Sequence, residues 1–501
     1  MRSEGDKGGI SGSRRHVGRR RRVGCAVVVA WVLGSIVLVG SEVPGVAGSV
    51  GGSEAGPGAP LALEEVLRSV STQYPPYLAA LIERDIAEGR LRGAKGAFDL
   101  GTFARVFGNP RGYYESTTLE TGVEQFLGIW GATVFGSYRL TGGDTLPDYY
   151  SQRTEGGGEA RLGFRLPLLQ DGSIDSRRAA VLRARLDKEL ADPAIRRQQL
   201  DFVRAGAVAY HGWLGAGLRL RVAEEILALA RDRQDAIRRQ IERGLSAPIV
   251  ATENQQLVVS RELGVVRARR RFEAASLALS MFVRDTRDRP VVPGRERLPD
   301  GWPEPALPEP VPEDDSWRSA SERRPEVRQL EMARERSQVD LRLARNALLP
   351  RLDAGAEASQ GLGDEKYKDK GEFELKLGLE FRMPLQRSQA RGSVQEAQGR
   401  LEQWDRQLGF ARDRVMAEIS NAHQAWVAAF EQVERARLNA ELARALQEVE
   451  RDRFTQGASD LLALQIREQA AFQARMEELE AIEQYYVAKA DLGTALATDL
   501  R

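Results

Sequence analysis

Residues 373–385 read FELKLGLEFRMPL, and over 373–383 apolar residues alternate with charged residues or glycine without a break. Successive side chains of a β-strand point to opposite faces, so this run predicts a strand with one apolar and one charged face. Such a strand is typical of a barrel wall between lipid and a wet lumen, and the alternative is a soluble sandwich with a solvated outer face. The apolar face would carry Phe373, Leu375, Leu377, Leu379, Phe381 and Met383, and the other face Glu374, Lys376, Gly378, Glu380 and Arg382.

The same plan occurs twice along the chain. The run FRLPL at 164–168 corresponds to FRMPL at 381–385. Trp213 and Gly244 in the first half correspond to Trp426 and Gly457 in the second. Each half has an alternating strand, a proline, a long polar helix, a glycine-containing break and a shorter returning helix. Two such repeats without catalytic residues indicate that the function of the protein depends on its architecture.

The two long helices have equal predicted lengths. They extend from about 176 to Gly244 and from about 389 to Gly457, each about 68 residues or roughly 100 Å. Apolar residues spaced by three and four in the second helix predict a coiled-coil seam. The returning helices have only about 40 residues, so we expect the helix at 325–349 to complete the first and the helix at 61–93 to complete the second. The result would be a layer of four columns, two formed by the long helices and two by a returning helix stacked on a shorter helix. Such a layer is too elongated for one globular core, so we expect its other faces to be buried against copies of itself.

The N-terminus has the pattern of a signal peptide over residues 1–48. Arginines at 14, 15 and 19–22 precede an apolar run over 24–40, and small residues suited to cleavage follow at 45–47. A signal anchor is the alternative, although an apolar run of about 17 residues is short for a spanning helix. The one cysteine, Cys25, lies in this segment, which excludes disulfides and thiolate metal sites from a cleaved product.

Composition divides the remaining residues into four segments. A flexible N-terminal segment is predicted over 49–60 and a first repeat over 61–285. A Pro-rich linker over 286–324 leads to a second repeat over 325–501. The prolines predict that the linker is extended and carries no core.

The sequence contains no motif for catalysis, cofactor binding or metal binding. It has no phosphate-binding Gly-rich loop, no H-E-x-x-H and no nucleophile–base pair, so we expect neither an enzyme nor a cofactor. His211 and His423 lie on corresponding helices beside Trp213 and Trp426, and we interpret them as packing residues in preference to metal ligands. The net charge of +1 argues against a nucleic-acid partner.

Short motifs mark the ends of the predicted strands and helices. Asn346 to Pro350 leads into a strand, and a later strand ends at Met383-Pro384-Leu385. Turns between long helices lie at 241–248 and 454–462. Together these motifs resemble those of the TolC-like outer-membrane efflux protein family, the outer membrane factors, in which such turns form helix tips. The resemblance covers nearly all of the chain after the signal. It departs from the family at Ala463 and Ile466, where Asp is frequent, and at 130–139, which is an additional strand or loop.

The resemblance implies a mainly α fold with a β-barrel part. Its two tandem repeats would each have two β-strands and long coiled-coil helices, assembled as a trimeric α/β barrel tunnel. Each chain of the homotrimer would give four strands to a barrel of 12 strands among the lipids of a Gram-negative outer membrane. The helices would form a large periplasmic tunnel whose tip docks on a periplasmic adaptor (membrane fusion) protein and an inner-membrane pump. Pro167, Pro350 and Pro384 would mark the junction between barrel and helices.

Two sets of residues are candidates for function. At the helix tips, charge pairs in a closed tunnel would hold the constriction shut, and small residues would let a partner's helical hairpin approach. The alternative is ordinary solvated charge at helix ends. In the barrel, charged side chains would keep the lumen wet. The tip candidates are Arg243, Gly244, Leu245, Ser246, Glu253, Asp452, Arg453, Gly457, Ser459 and Asp460, and the lumen candidates are Arg161, Arg165, Glu374, Lys376, Glu380 and Arg382.

The predicted function is a passive outer-membrane exit duct of a tripartite efflux pump or type I secretion system. The alternative is a periplasmic coiled-coil adaptor or scaffold that does not cross the outer membrane, and an enzyme is the least favoured. The strand at 373–383 separates the first two, because an adaptor needs no long apolar face toward lipid. A passive duct needs only width and polarity, so the identity of the substrate would be set elsewhere.

Overall fold

Long helices and an antiparallel sheet build the chain, which a computed structural model describes over residues 59–109, 111, 115–143, 153–244, 247–285, 287–308, 321–364, 367 and 371–498. The predicted signal peptide and the tip residues Leu245 and Ser246 lie outside these residues. The helices are α1 (Leu63–Gln73), α2 (Pro75–Leu81), α3 (Glu83–Lys95), α4 (Ser176–Glu242), α5 (Pro248–Ser280), α6 (Pro325–Asn346), α7 (Ser388–Thr455) and α8 (Leu461–Ala495). The strands are β1 (Gly101–Asn109), β2 (Ser116–Phe126), β3 (Thr133–Gly142), β4 (Glu159–Pro167), β5 (Arg351–Gly361) and β6 (Glu374–Arg382).

The predicted fold class, mainly α with a sheet and long helices in both repeats, is confirmed. The prediction of two strands in each repeat is wrong for the first repeat, whose described residues form β1 to β4. The segment at 130–139, predicted as an additional strand or loop, contributes most of β3. The hairpin β1–β2 was missed because Thr and Gly at several positions weaken the hydrophobic alternation on which a strand prediction depends.

The two long helices have nearly the same length, with 67 residues in α4 and 68 in α7, close to the predicted value. Asp175 caps α4, since its Oδ1 accepts hydrogen bonds from the backbone N–H of Arg177 and Arg178 at 2.8 and 2.9 Å. Gly244 and Gly457 follow the ends of α4 and α7 with φ of +74° in both cases, a conformation that favours glycine. None of the described helices is both long and apolar enough to cross a membrane.

The column of helix α8 continues into α6. Arg324, just before α6, donates from Nη1 to the carbonyls of Thr494 and Ala495 at 3.1 and 3.0 Å, and these residues end α8. Val327 of α6 packs in one core cluster with Ala495. The prediction that the helix at 325–349 completes the first returning helix is therefore wrong, because it completes the second.

The column of α5 continues into α1, α2 and α3. The hydroxyl of Ser69 in α1 accepts a hydrogen bond from the backbone N–H of Arg284, just past α5, at 3.1 Å. Tyr74 stacks on Phe282 with ring centroids 5.3 Å apart. The predicted role of the helix at 61–93 is thus also reversed. Chain length could not assign these two pieces, since each can fill the missing length, and only the contacts at the helix ends distinguish them.

The helices form a layer in the order α5, α4, α8, α7, because α4 packs against α5 and α8, and α7 packs against α8. The main core lies between α4 and α5 around the fully buried Trp213, whose Nε1 donates to the hydroxyl of Ser276 at 3.1 Å. The corresponding Trp426 is only partly buried and packs near Tyr485. The two repeats therefore share a plan without sharing the same core.

Residues 287–308 of the linker, which we call the strap, pack across the helices. Leu298 is 9% exposed and joins the main core beside Phe272. Gly217 of α4 leaves room for it, since a Cβ there would lie 2.5 Å from Cδ1 of Leu298. The hydroxyl of Tyr485 in α8 donates to the carbonyl of Ala306 at 2.8 Å. The expectation that the linker carries no core is wrong, because Leu298 joins the main core although its Pro-rich surroundings predict no packing.

Candidate functional site

The strands form a single antiparallel meander in the order β1-β2-β3-β4-β5-β6. Strand β4 of the first repeat pairs with β5 of the second, with Gly163 opposite Glu357 and Phe164 opposite Ala356. This pairing joins the two repeats in one sheet. Because paired residues point to the same face, the registers assign every side chain of the sheet to one of two faces.

One face of the sheet carries most of the apolar side chains of β3 to β6, with threonines interspersed among the apolar residues of β1 and β2. Val106, Leu119 and Leu140 lie in a row over β1, β2 and β3. In the second half of the sheet, the larger apolar side chains are strongly exposed in the single chain, with Leu377 at 75% and Leu379 at 74%. The remaining rows of this face include Val134, Phe164, Ala356 and Leu377, and Leu162, Ala358 and Leu375.

The opposite face is charged and contains every predicted lumen residue. Arg161 forms ion pairs with Glu357 on β5 and, at 3.5 Å, with Glu120 on β2. Arg139 and Glu159 pair at 2.5 Å between β3 and β4. These pairs connect β2, β3, β4 and β5 on the same side of the sheet. The predicted residues on this face are Arg161, Arg165, Glu374, Lys376, Glu380 and Arg382.

The charges of β6 pair along their own strand. Lys376 lies 3.4 Å from Glu374, and Arg382 lies 2.5 Å from Glu380. Arg165 on β4 is exposed. Sequence reasoning missed the partners Glu120, Arg139, Glu159 and Glu357, although the first two alternate with small or apolar residues in a detectable way.

The three predicted junction prolines lie at one end of the sheet. Pro167 is the last residue of β4, Pro350 immediately precedes β5, and Pro384 follows β6. The backbone N–H of Gln170 donates to the carbonyl of Pro350 at 3.2 Å, which brings the first two together. Proline cannot donate to a strand ladder, so its position at a strand end is consistent with its chemistry.

Asn346 ties this junction together from the end of α6. Its Oδ1 accepts from the backbone N–H of Asp171 at 3.2 Å, and its Nδ2 donates to the carboxylate of Asp171 at the same distance. Asp171 has a left-handed backbone with φ of +70°. The sequence contained a signal for this contact, because Asn346 begins the motif that precedes Pro350, but it gave no indication of the partner.

The tip charges remain largely solvated in the single chain. Arg243, Glu253 and Asp452 are exposed and form no ion pair with one another among the described residues. Asp460 caps α8, its Oδ1 accepting from the backbone N–H of Ala463 at 2.7 Å.

The tip of the second repeat, between α7 and α8, has contacts of its own. The hydroxyl of Ser459 donates a hydrogen bond to the carboxylate of Glu450, and Arg453 lies 3.5 Å from the same carboxylate. The tip candidates thus share an end of the helices, and each repeat forms its own contacts there. Gly244 and Gly457 provide the left-handed residue at each turn.

A buried polar cluster lies along the helices a short way from the tips, and the sequence gave no functional signal for Arg233 or Glu468 in it. Arg233 of α4 pairs with Glu468 of α8, with side chains only 8% and 3% exposed. Asn254 of α5 is fully buried and donates to Oε1 of Gln234 at 2.7 Å and to the carbonyl of Ala230 at 3.1 Å. Arg233 precedes Gly244 by eleven residues, roughly 16 Å along the helix. The cluster connects α4, α5 and α8 close to the tips.

His211 is a packing residue in the described structure. It accepts a hydrogen bond at Nδ1 from Nε1 of Trp302 in the strap at 3.2 Å and stacks on Tyr486. Burial, aided by the nearby Lys489, lowers the pKa of His211 to about 4, so the ring is neutral at ordinary pH. His423 contacts the ring of Trp426. The described residues contain no group of His, Cys, Asp and Glu able to hold a metal ion.

Comparison with known proteins agrees with this architecture. Residues 317–498 match the family model described as outer membrane efflux protein. Three solved structures share the fold over most of the chain. The resemblance to the TolC-like outer-membrane efflux protein family is confirmed. The match to the outer membrane efflux protein model lies almost entirely within the predicted second repeat.

Three of the solved structures that are similar to this chain are described as outer-membrane or membrane proteins. VceC, the outer membrane protein of Vibrio cholerae, is 14% identical with a TM-score of 0.62 over 88% of this chain and 97% of that one. The open MtrE outer membrane channel of Neisseria gonorrhoeae is 16% identical with a TM-score of 0.62, over 87% and 89%. A membrane protein from Pseudomonas aeruginosa is 16% identical with a TM-score of 0.63, over 87% and 93%. No curated protein matches the sequence.

Proposed function

We propose that the protein is a passive outer-membrane channel, the exit duct of a tripartite efflux pump or type I secretion system. It would conduct substrates from a periplasmic adaptor protein and an inner-membrane pump to the outside of a Gram-negative cell. The proposal rests on the match to the outer membrane efflux protein family and on the geometry of the sheet. It requires no catalytic group and no cofactor.

The sheet supports this proposal most directly. Its registers put the exposed Leu and Phe side chains of β4 and β6 on one face and the ion-paired Arg, Glu and Lys side chains of β2 to β6 on the other. Such a division fits a wall with lipid on one side and water on the other. A periplasmic adaptor or scaffold has no use for so large an exposed apolar face, which would favour aggregation in water. The alternative function is accordingly less well supported.

The outer columns of the helical layer support self-association as a homotrimer. Helix α5 exposes Val259, Leu263 and Val266 at spacings of four and three, which places them on one stripe. Helix α7 exposes a similar stripe with Leu442, Leu446 and Val449. These helices are the two outer columns of the layer, so the stripe on α5 of one copy can pack on α7 of the next. A ring of copies would then enclose a duct.

The location and activity can be tested together. We expect outer-membrane fractions from a sucrose gradient to contain a heat-modifiable trimer, and the purified trimer to form ion-conducting pores in planar bilayers. Recovery as a soluble periplasmic monomer would contradict the proposal and favour the scaffold function. A trimer in the outer membrane that conducts no ions, even after the tip charges are neutralised, would contradict the channel activity alone.

The tip residues are proposed as a gate that closes the duct at its periplasmic end. Neutralising Glu253 and Asp460 together in the E253Q/D460N variant should raise single-channel conductance, because contacts between copies would be lost while Asn still caps α8. The matched control is E396Q/E402Q, which removes two exposed carboxylates near the other end of α7. Unchanged conductance in E253Q/D460N would show that the tip charges are only solvated.

A further inference from the structure

The strands β1 and β6 form the two edges of the sheet within the described residues. Each has a partner on one side, β2 and β5 respectively, and presents backbone N–H and C=O groups on the other. Water can satisfy such groups at a soluble edge, but hydrocarbon cannot. If the apolar face lies in lipid, both edges require a strand partner from another copy of the chain.

The hairpin β1–β2 changes which strand meets the neighbouring copy. Strand β2 pairs with β3 over ten residues, from Thr117 opposite Gly142 to Phe126 opposite Thr133. The outer side of β3 is therefore occupied within the chain. Strand β1 takes its place as the edge of the first repeat.

We propose that β6 of one copy pairs in antiparallel fashion with β1 of the next, so that each copy contributes six described strands to the wall. This inference rests on the proposed function. Three copies would close a barrel of 18 strands in place of the 12 expected from four strands per copy. Barrel diameter grows roughly linearly with strand number, so the duct would be about half again as wide in the membrane.

Direction and length suit this closure. The number of described strands is even, so the meander itself makes β6 and the next β1 antiparallel. Both strands contain nine residues. Thr102, Ala104 and Val106 share the apolar face with Leu377 and its neighbours. A shift of one residue would put them on the charged face, so only every second register keeps both faces intact.

Charge favours one of these registers. The guanidinium of Arg105 lies 4.4 Å above the ring of Phe103 on its own strand and has no ion pair among the described residues. On β6, Glu380 forms an ion pair with Arg382 along its own strand and none across to a neighbouring strand among the described residues. Opposite charges in facing positions stabilise strand pairs, and like charges destabilise them, which disfavours Lys376 as the partner of Arg105. With Arg105 opposite Glu380, Val106 comes opposite Leu379.

Inter-copy disulfides test this pairing in the intact protein. The one native cysteine, Cys25, lies in the predicted signal peptide, so any disulfide in the cleaved protein would come from the introduced cysteines. In the V106C/L379C variant, oxidation should convert most of the monomer on a denaturing non-reducing gel into covalent dimers and trimers, which reduction reverses. The control variant L140C/L379C carries a cysteine on β3, whose outer side β2 occupies, and should remain monomeric on the same gel.

The outcomes separate this inference from the proposed function. Outer-membrane trimers that crosslink through L140C and not through V106C would overturn it, because β6 would then meet β3 in a narrower barrel. Absence of crosslinks for V106C, A104C and T102C, each combined with L379C, in outer-membrane trimers would also overturn it. Loss of the trimer or of outer-membrane location in the unsubstituted protein would instead count against the proposed function.

A charge-exchange pair supplies a second measurement. R105E and E380R should each lower the temperature at which the trimer dissociates, and R105E/E380R should recover most of that shift. Additive shifts in the double variant would contradict the proposed register of Arg105 and Glu380.

Discussion

The buried ion pair between Arg233 and Glu468 gives the sharpest test of how the helices are held near the tips. Both side chains are more than nine-tenths buried, and they belong to α4 and α8. Arg261 of α5 lies close to the pair. Burial lowers the pKa of Arg261, Glu468 opposes that change and Arg233 adds to it. One carboxylate therefore compensates the charge of two guanidinium groups from different helices.

The E468Q variant removes that carboxylate charge while preserving the shape of the side chain. An uncompensated buried charge typically costs 3–5 kcal/mol, so we expect E468Q to lower the free energy of unfolding by about 4 kcal/mol. The exposed pair of Arg231 and Glu262, with side chains 57% and 43% exposed, offers a matched control between α4 and α5. E262Q should cost only about 0–1 kcal/mol, because water screens the pair.

The measurement is thermal and urea-induced unfolding of the purified trimer, followed by far-ultraviolet circular dichroism and by mobility on denaturing gels. The variant R233M/E468L replaces both charges by apolar groups of similar size and should recover most of the loss seen in E468Q. If E468Q is no less stable than E262Q, or if R233M/E468L is as unstable as E468Q, the idea that uncompensated buried charge dominates here is refuted.

Three further predictions concern the strap and the tips. The pKa of His211 is about 4 in the folded chain against 6.5 ordinarily, so its burial lowers the free energy of unfolding as the pH falls. This loss begins near pH 6.5 and reaches up to about 3 kcal/mol toward pH 4. H211Q should therefore flatten this part of a profile of melting temperature against pH. G217A should cost about 1–3 kcal/mol because its Cβ meets Leu298, and thermal unfolding should show that G217A combined with L298A costs less than the sum of the two single changes. D460A should lose the cap of α8 and about 1 kcal/mol, whereas D460N should keep it, and faster proteolysis at the tip in D460A alone checks the difference.

The sequence predicted those parts of the fold that local periodicity encodes. The strict alternation from Phe373 to Met383 identified β6, and Gly244 with Gly457 set the lengths of α4 and α7 to within two residues of their actual bounds. These signals are local, because a strand and a helix end each depend on a few neighbouring residues. The predicted tip and lumen functions remain predictions, although the registers bring all the predicted lumen residues onto one face.

The parts that failed depend on contacts between distant residues. Nothing near Arg324 in the sequence indicates that it binds the carbonyls of Thr494 and Ala495. The sequence therefore assigned the helices at 325–349 and 61–93 to the wrong returning helices. Likewise, Leu298 resembles any other apolar residue in a Pro-rich linker until Gly217 is seen to make room for it. Glu468 gave no signal either, since a charged residue on a polar helix is ordinarily solvated.

The position of the strap has a mechanical consequence for the tips. It crosses α4 at Gly217, and 25 residues separate that point from the end of the helix at Glu242, a distance of roughly 38 Å. If α4 rotates by about 10° about its contact with the strap, the end of the helix moves by about 7 Å. The contact between Leu298 and Gly217, which involves a few atoms, therefore has a long lever arm. If the tips form the proposed gate, a small adjustment at this one contact would change its aperture.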